Sequence, residues 1–555
     1  MLSGGDIDGR NPRLTGPMLR VGRTGPLRPV SWDHAIAFIV DRLVSTQRRA
    51  GADSVAFMGS GRLDVESSYA FTKLFKGVLR TNNQDADCRI VAPGALSPFE
   101  QVFGAEGTPA CHDDVTHADV VLIVASDVAQ DDPSLMAAIR RRRVQQPNSR
   151  IIVIDPAKTT TAQGADVHVG IHPGGELAFI SLLARRIMLR GKADARYIDR
   201  HAEGFASWTQ QLMALDERTA MRSLGIHPGR LDEVTQLLDG PVKLLSIFGQ
   251  RCPLEPRATA WQSALLQLHV MMGQLGRPGC GPLALPVRST GFGGRQAGSL
   301  PHLLPGCRRV TSQDDRHVME QLWGVKPGAI RPEPGLGGLD VFRAAGDGAV
   351  KLLWLAGADA VMRLGDAQAV SRGMDRAEVV IAQDTSTPAE LVSMIDVLLP
   401  SADWGETTGT TIDDQRLVRR SASRIDAPGQ AKPDWWIPAR VGQALGVWGF
   451  EYSSSEQVWD EFRTATAGAP CDLAGITNRR LLIGPARWPC PASSSTGLLR
   501  LYADGRFPTP SGKAHLAAIH DAGETPDITH ARAHRAPIHP GVERKEPSDS
   551  TAPKS

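Results

Sequence analysis

Seven short apolar runs punctuate the chain: one beginning at Ser54, then 120–124, 151–154, 242–248, 350–355, 379–381 and 397–399. Most are followed by small or polar residues, among them Ser126-Asp127, Asp155-Pro156, Gly249-Gln250 and Gln383-Asp384. Helix-like stretches lie between them, including 66–79, 260–272 and 35–50, the last of which Ser31 or Asp33 can cap. Continuous apolar strands alternating with helices predict parallel sheets covered on both faces. The fold class expected is α/β, with two doubly wound, mostly parallel-sheet domains. Sheets of this kind take their ligands at the carboxyl ends of the strands. Residues 1–29, rich in Gly, Pro and Arg, read as an extended lead-in, and 518–555 as a disordered polar tail.

Composition narrows the picture by exclusion. A 555-residue chain with 41% hydrophobic and 22% charged residues can bury two or three substantial cores. A formal net charge of +2 gives no field for nucleic acid or an anionic membrane. The basic run 140–143 reads as a solvated helix end. No apolar run reaches the roughly 18 residues that a membrane span needs, and the N-terminus lacks a secretory core, so the expected address is the cytoplasm. The seven cysteines, Cys88, Cys111, Cys252, Cys280, Cys307, Cys471 and Cys490, are dispersed and never spaced CxxC. Buried thiols are expected rather than disulfides, zinc or an iron–sulfur cluster.

Three stretches carry candidate chemistry. Residues 150–161 form an apolar strand ending in Asp155 and a loop with Thr159 to Thr161; the acid suits a ribose or guanine edge, the hydroxyls and amides a phosphate. Downstream, Gly174-Gly175 can turn tightly into a helix opened by Glu176, which also fits an ordinary loop with an acidic helix start. Residues 287–300 set Gly291, Gly293, Gly294 and Gly298 around Arg295. Glycines let backbone approach a bulky ligand, and a guanidinium offers paired donors to a planar oxyanion. A flexible loop with a surface arginine accommodates the same residues.

Longer motifs give these stretches a common setting. Asp396-Val-Leu-Leu-Pro-Ser-Ala-Asp-Trp-Gly-Glu-Thr-Thr-Gly-Thr410, Pro428-Gly-Gln-Ala-Lys-Pro-Asp-Trp-Trp-Ile437, and Asp504-Gly-Arg-Phe-Pro-Thr-Pro-Ser-Gly-Lys513 preceded by Arg487-Trp-Pro-Cys-Pro491 occur in order. Together with the stretch 79–114 they resemble the bis-molybdopterin oxidoreductases, most closely the bacterial assimilatory nitrate reductases, over roughly residues 12–517. The resemblance implies a first α/β domain in two parts, 30–85 and 336–450, a pterin dinucleotide-binding domain at 86–335, and an accessory segment at 451–517. It implies molybdopterin guanine dinucleotide (bis-MGD) with molybdenum as cofactor. Asp155, Thr159, Gly174, Glu176, Gly249, Gln250, Gly293 and Gly294 are expected to contact it, and Gly405, Glu406, Gly409 and Thr410 its second dinucleotide. Arg295 falls on the arginine proposed to attract nitrate.

The resemblance also shows departures. The residue that usually ligates molybdenum is cysteine in the family and falls on Val91, with Cys88 three positions earlier, so no side-chain metal ligand is assigned. Gln296 replaces an acid, residues 287–290 a Gly-Gln-Pro-Asn run, and Gly357-Ala-Asp359 a Gly-Thr-Asn segment. The [4Fe-4S] domain and the closing β-barrel-like domain of family enzymes are not expected in this chain. Two functions follow: nitrate reduction by oxygen-atom transfer, or a non-catalytic pterin-binding or scaffold subunit of a redox complex. Formate oxidation is the substrate alternative. A small oxyanion and a redox partner subunit supplying the missing domains are the expected partners, with neither nucleic acid nor membrane.

Overall fold

The computed structural model describes residues 13–22, 24–87, 96–249, 256–285, 292–357, 361, 364–386, 389–494 and 496–519. Two sheets organise it. A seven-stranded sheet runs in the order Leu27–Pro29, Met18–Arg20, Val397–Pro400, Val379–Asp384, Leu352–Ala356, Val55–Gly59, Gln84–Ala86. Its last five strands are parallel. A five-stranded, wholly parallel sheet runs Gly281–Ala284, Leu244–Phe248, Val120–Val124, Arg150–Ile154, Val167–Val169. All seven apolar runs became strands of these sheets, and each sheet is packed on both faces. That double burial is why the runs are continuous rather than alternating.

The lead-in differs from expectation. Met18–Arg20 pairs antiparallel with Val397–Pro400, and Leu27–Pro29 pairs outside it. Arg20 fastens the hairpin by donating from Nε to the Ile395 carbonyl at 2.7 Å. Pro29 is tolerated because the outermost strand has one free edge.

The helix expected at 66–79 also changes character. An α-helix, Val65–Thr72, passes into a π-helical turn, Lys73–Val78. The widened turn carries two buried lysines. Lys76 Nζ donates to the carbonyls of Gly298, Leu300 and Leu303 at 2.9, 2.6 and 2.5 Å. Lys73 meets Glu461 at 2.7 Å. Long cationic side chains reaching partners in other elements favour an extra residue in the turn, a common adjustment within helices.

The helix expected at 260–272 begins earlier, at Pro256, and ends at Met271. Proline at a first helical position costs no hydrogen bond. Ser31 caps the first helix, Trp32–Ala50, by accepting from His34 N at 3.2 Å.

The segment 292–330 packs away from the five-stranded sheet. Phe292, Leu304, Met319, Trp323 and Ile330 share a core with Val65 and Tyr69, and with Trp459, Phe462 and Trp488 of the C-terminal region. Leu501, Tyr502, Phe507 and Leu516 instead join the core of the five-stranded sheet. The chain from 451 onward therefore wedges against both parts, within one compact unit, Met1–Ile519.

Asn82 and Asn83 turn out to be clamps. Asn82 Nδ2 donates to the carbonyls of Arg331 and Glu333 at 2.9 and 2.7 Å, and Asn83 Oδ1 accepts from Leu336 N at 2.8 Å. The expected tail lies outside the described residues from 520 onward. Cys111, Cys280, Cys307, Cys471 and Cys490 are buried free thiols. Cys88 and Cys252 are not among the described residues. No described helix is long and apolar enough to cross a membrane.

Candidate functional site

At the carboxyl edge of the five-stranded sheet stand several of the expected residues. Asp155 follows Arg150–Ile154 directly, is buried, and accepts from Ala157 N at 2.8 Å. Thr159 is committed to capping the short helix Thr160–Gln163, accepting from Ala162 N at 3.2 Å. Gly174 has φ +82°, the left-handed conformation that favours glycine, and turns the chain into the helix Glu176–Leu189. Glu176 is buried in its first turn. At Gly249 a Cβ would lie 2.6 Å from Ser126 Oγ, so two strand ends approach there at backbone distance. Gln250 lies outside the described residues.

The helix Pro256–Met271 lies in sequence between the parallel strands Leu244–Phe248 and Gly281–Ala284, which brings its N-terminus to the same edge. Two polar groups in its opening turns were not singled out from the sequence. Thr259 Oγ1 and Gln262 Oε1 are buried without a hydrogen-bond partner among the described residues. A helix N-terminus and an unpaired hydroxyl as donors, with a carboxylate at a strand end as acceptor, fit a nucleotide's diphosphate and base. The residues present therefore fit one half of a pterin dinucleotide cofactor.

The seven-stranded sheet has its own crevice at the carboxyl ends of Val55–Gly59, Leu352–Ala356, Val379–Asp384 and Val397–Pro400. It is lined in part by Arg62, Asp64, Asp384, Asp403, Trp404 and Asp434. Burial pushes Asp64 up to about 6 and Asp434 up to about 7. Glu66, behind them, is pushed up to about 8 by burial and by the neighbouring Asp64. With Arg62 as the cation among these groups, the crevice suits a donor-rich base edge better than a bare diphosphate.

The four residues expected beside the second dinucleotide have partners within the protein. Glu406 forms an ion pair with Arg13 and accepts from Asp403 N at 2.8 Å. Thr410 gives both donors to Glu66, from Oγ1 at 2.7 Å and from the backbone N–H at 2.8 Å. A Cβ at Gly409 would overlap the Asp64 carboxylate. Gly405 accepts at its carbonyl from Arg424 and Ile425. Gly409 and Thr410 thus set the positions of two buried carboxylates, Asp64 and Glu66, that the sequence reading passed over.

Arg295 is placed differently from a surface arginine. It is fully buried on the short helix Phe292–Gln296, its guanidinium 3.9 Å above the Phe292 ring. Nη1 donates to Glu106 Oε2 at 2.8 Å, and both side chains are about 1% exposed. Its Nε and Nη2, and both polar atoms of the Gln296 side chain, have no partner among the described residues. Gly293 packs against Val65 and leaves no room for a Cβ, while Gly294 is buried beside it. Glu106 was missed because a single acid in a loop carries no sequence pattern. Val91 lies outside the described residues, and no group of three potential metal ligands occurs among the described ones.

Comparison with known proteins places the chain in a family. A nitrate reductase of Synechocystis sp. is 32% identical over 517 residues, 92% of this chain and 72% of that protein. A nitrate reductase of Shewanella frigidimarina is 30% identical over 90% of this chain, which spans 54% of its length. Among solved structures, acetylene hydratase from Pelobacter acetylenicus superposes with a TM-score of 0.67 at 14% identity, covering 91% of this chain and 69% of that one; this likeness concerns the fold alone. Residues 13–444 match the sequence pattern of the molybdopterin oxidoreductases, and the chain belongs to that family.

Proposed function

We propose that the chain is the catalytic core of a nitrate reductase-type enzyme, converting nitrate to nitrite by oxygen-atom transfer. The observation that carries the reading is similarity to nitrate reductases along about nine-tenths of the chain. When bound, a molybdenum-bearing pterin guanine dinucleotide pair supplies the two-electron chemistry. Asp155, Glu176 and the Gly174-Gly175 turn, with the opening of the helix Pro256–Met271, would hold one dinucleotide. The aspartate-lined crevice would take the base of the other. Gly409, Thr410, Gly405 and Glu406 position the walls of that crevice through Asp64, Glu66 and Asp403. Arg295 would bind the substrate anion with the donors that Glu106 leaves free. On this reading the protein works in the cytoplasm with a redox partner subunit, and this chain supplies no iron–sulfur cluster.

A second reading is favoured by one residue. Val91 stands where a sulfur ligand is usual, and valine has no donor for a metal. The chain would then be a pterin-holding, non-catalytic subunit. Metal analysis of purified protein, with release and identification of pterin and a nitrate assay driven by a reduced dye, separates the two. Stoichiometric molybdenum with nitrite formation supports the enzyme; pterin without metal supports the subunit. Protein lacking both, made in cells that synthesise the cofactor, overturns the two readings together.

A further inference from the structure

The pairing of Arg295 with Glu106 has a consequence for any anion bound there. Nε and Nη2 form the side edge of the guanidinium, the one that presents two parallel N–H groups to a planar oxyanion. Both are buried and lack partners among the described residues, as do the amide atoms of the neighbouring Gln296. The opposite side of the guanidinium is held by Glu106 at 2.8 Å, with about 1% of either side chain exposed. The guanidinium therefore keeps two free donors, while an internal carboxylate already balances its positive charge. A monoanion binding there would leave a net negative charge in a region without solvent, which is costly. Neutrality returns if one proton arrives with the anion.

Glu106 is the group that can take the proton. Glu100 lies nearby, but it is engaged by His302 at 3.1 Å and by the backbone N–H of Ser97 at 3.1 Å. Burial opposes the charge on Glu100, yet His302 and Arg309 hold its carboxyl below the usual range. Cys307 and Tyr502 also face Glu106, and burial keeps both neutral by raising them. Cys471 Sγ donates to the Glu106 carbonyl at 3.7 Å. Burial pushes the Glu106 carboxyl itself upward, against the pull of Arg295.

We propose that Glu106 is a protonatable stand-in for the substrate anion: nitrate docks on the free edge of Arg295 as Glu106 takes up one proton, so the step is electroneutral. The balance is NO3⁻ plus H⁺ from solvent plus the Arg295–Glu106 ion pair, giving an Arg295–nitrate pair and neutral Glu106. The proton is then stored beside the oxyanion. The inference rests on the nitrate reading above and adds a positioning and proton-holding residue to it.

The test is calorimetric titration of sodium nitrate into the purified protein with its cofactor as isolated. It is run at several pH values, each in two buffers of different ionisation enthalpy. Above the Glu106 titration the expected uptake is about one proton per nitrate, with affinity falling about tenfold per pH unit. Glu106→Gln, which keeps the shape and an acceptor for Arg295, should abolish the uptake and flatten the pH profile. Nitrate binding without proton uptake in the unaltered protein overturns the proposal and leaves the nitrate reading standing. Unchanged proton uptake in Glu106→Gln also overturns it. Absence of any nitrate binding overturns it as well, and molybdenum and pterin assays on the same sample then show whether the functional reading fails too. The proton count in the unaltered protein decides the matter even if the variant does not fold.

Discussion

Arg295→Met is the perturbation that most directly tests how the core of the site is held. The side chain lies 3.9 Å over Phe292 and pairs with Glu106 at 2.8 Å in a place closed to solvent. Removing one member of a buried pair leaves the other uncompensated and costs about 3–5 kcal/mol. Methionine restores most of the packing volume, so the loss is electrostatic rather than a cavity effect. That assignment fixes the pH dependence. With Arg295 gone, Glu106 has a folded-state pKa further above its unfolded value. A carboxyl raised in this way stabilises the fold fully below its unfolded pKa and loses that contribution as pH rises through the folded one. The deficit of the variant is therefore expected to be large at pH 8 and to shrink toward pH 5. Glu106→Gln should cost less, about 1–3 kcal/mol, since an acceptor remains for the guanidinium. The double variant should cost less than the sum of the two singles by about 2 kcal/mol or more. Urea unfolding followed by tryptophan fluorescence at three pH values measures all of this. A loss below about 1 kcal/mol at pH 8, with no pH dependence, would refute the claim that the pair is buried and unshared.

Gly335→Ala should destabilise by several kcal/mol or prevent folding, because a Cβ there overlaps the Asn82 carbonyl, which is backbone and cannot yield; soluble yield and melting temperature report it. Asp434→Asn should flatten part of the fall in melting temperature expected between about pH 4 and 8. Asp64, Asp434 and Glu66, raised to about 6, 7 and 8, favour the fold while protonated and stop doing so as pH climbs through those values. A melting curve that instead rises with pH across this range counts against the burial of those acids. Thr259→Val with Gln262→Leu should lower pterin content while leaving the melting temperature of cofactor-free protein unchanged or higher, since two unpaired buried polar groups are removed.

Much of the fold was legible because the sheets are buried on both sides. A strand such as Val120–Val124 has no polar position to confuse its pattern. The carboxylate of Asp155 and the turn at Gly174 were readable for a related reason, since a strand end and a glycine turn are local features. What escaped was long-range. Lys76 looked like one more polar residue on a helix, and its three carbonyl acceptors lie more than 220 positions downstream. The π-helical turn that carries it follows from those partners, not from propensity. Met18–Arg20 became a strand because Val397–Pro400 offered an edge, which a Pro- and Gly-rich lead-in could not announce. Glu106 acquires its meaning from an arginine 189 positions away.

The two crevices are chemically unequal, and the inequality bears on how a two-part cofactor would settle. The five-stranded sheet contributes helix starts and the unpaired Thr259 hydroxyl, which stabilise negative charge. The seven-stranded sheet contributes Asp64, Asp384, Asp403 and Asp434, and negative charge near them is opposed. Protonation relieves that opposition, and the carboxyls of Asp64 and Asp434 are already displaced toward neutrality by burial. A base edge at the second crevice meets carboxyls that can donate to it once protonated, so occupancy there should draw protons from solvent. The same logic governs the Arg295–Glu106 pair. In each place the chain has set a buried carboxylate beside the expected ligand, and such a group can accommodate it by becoming neutral.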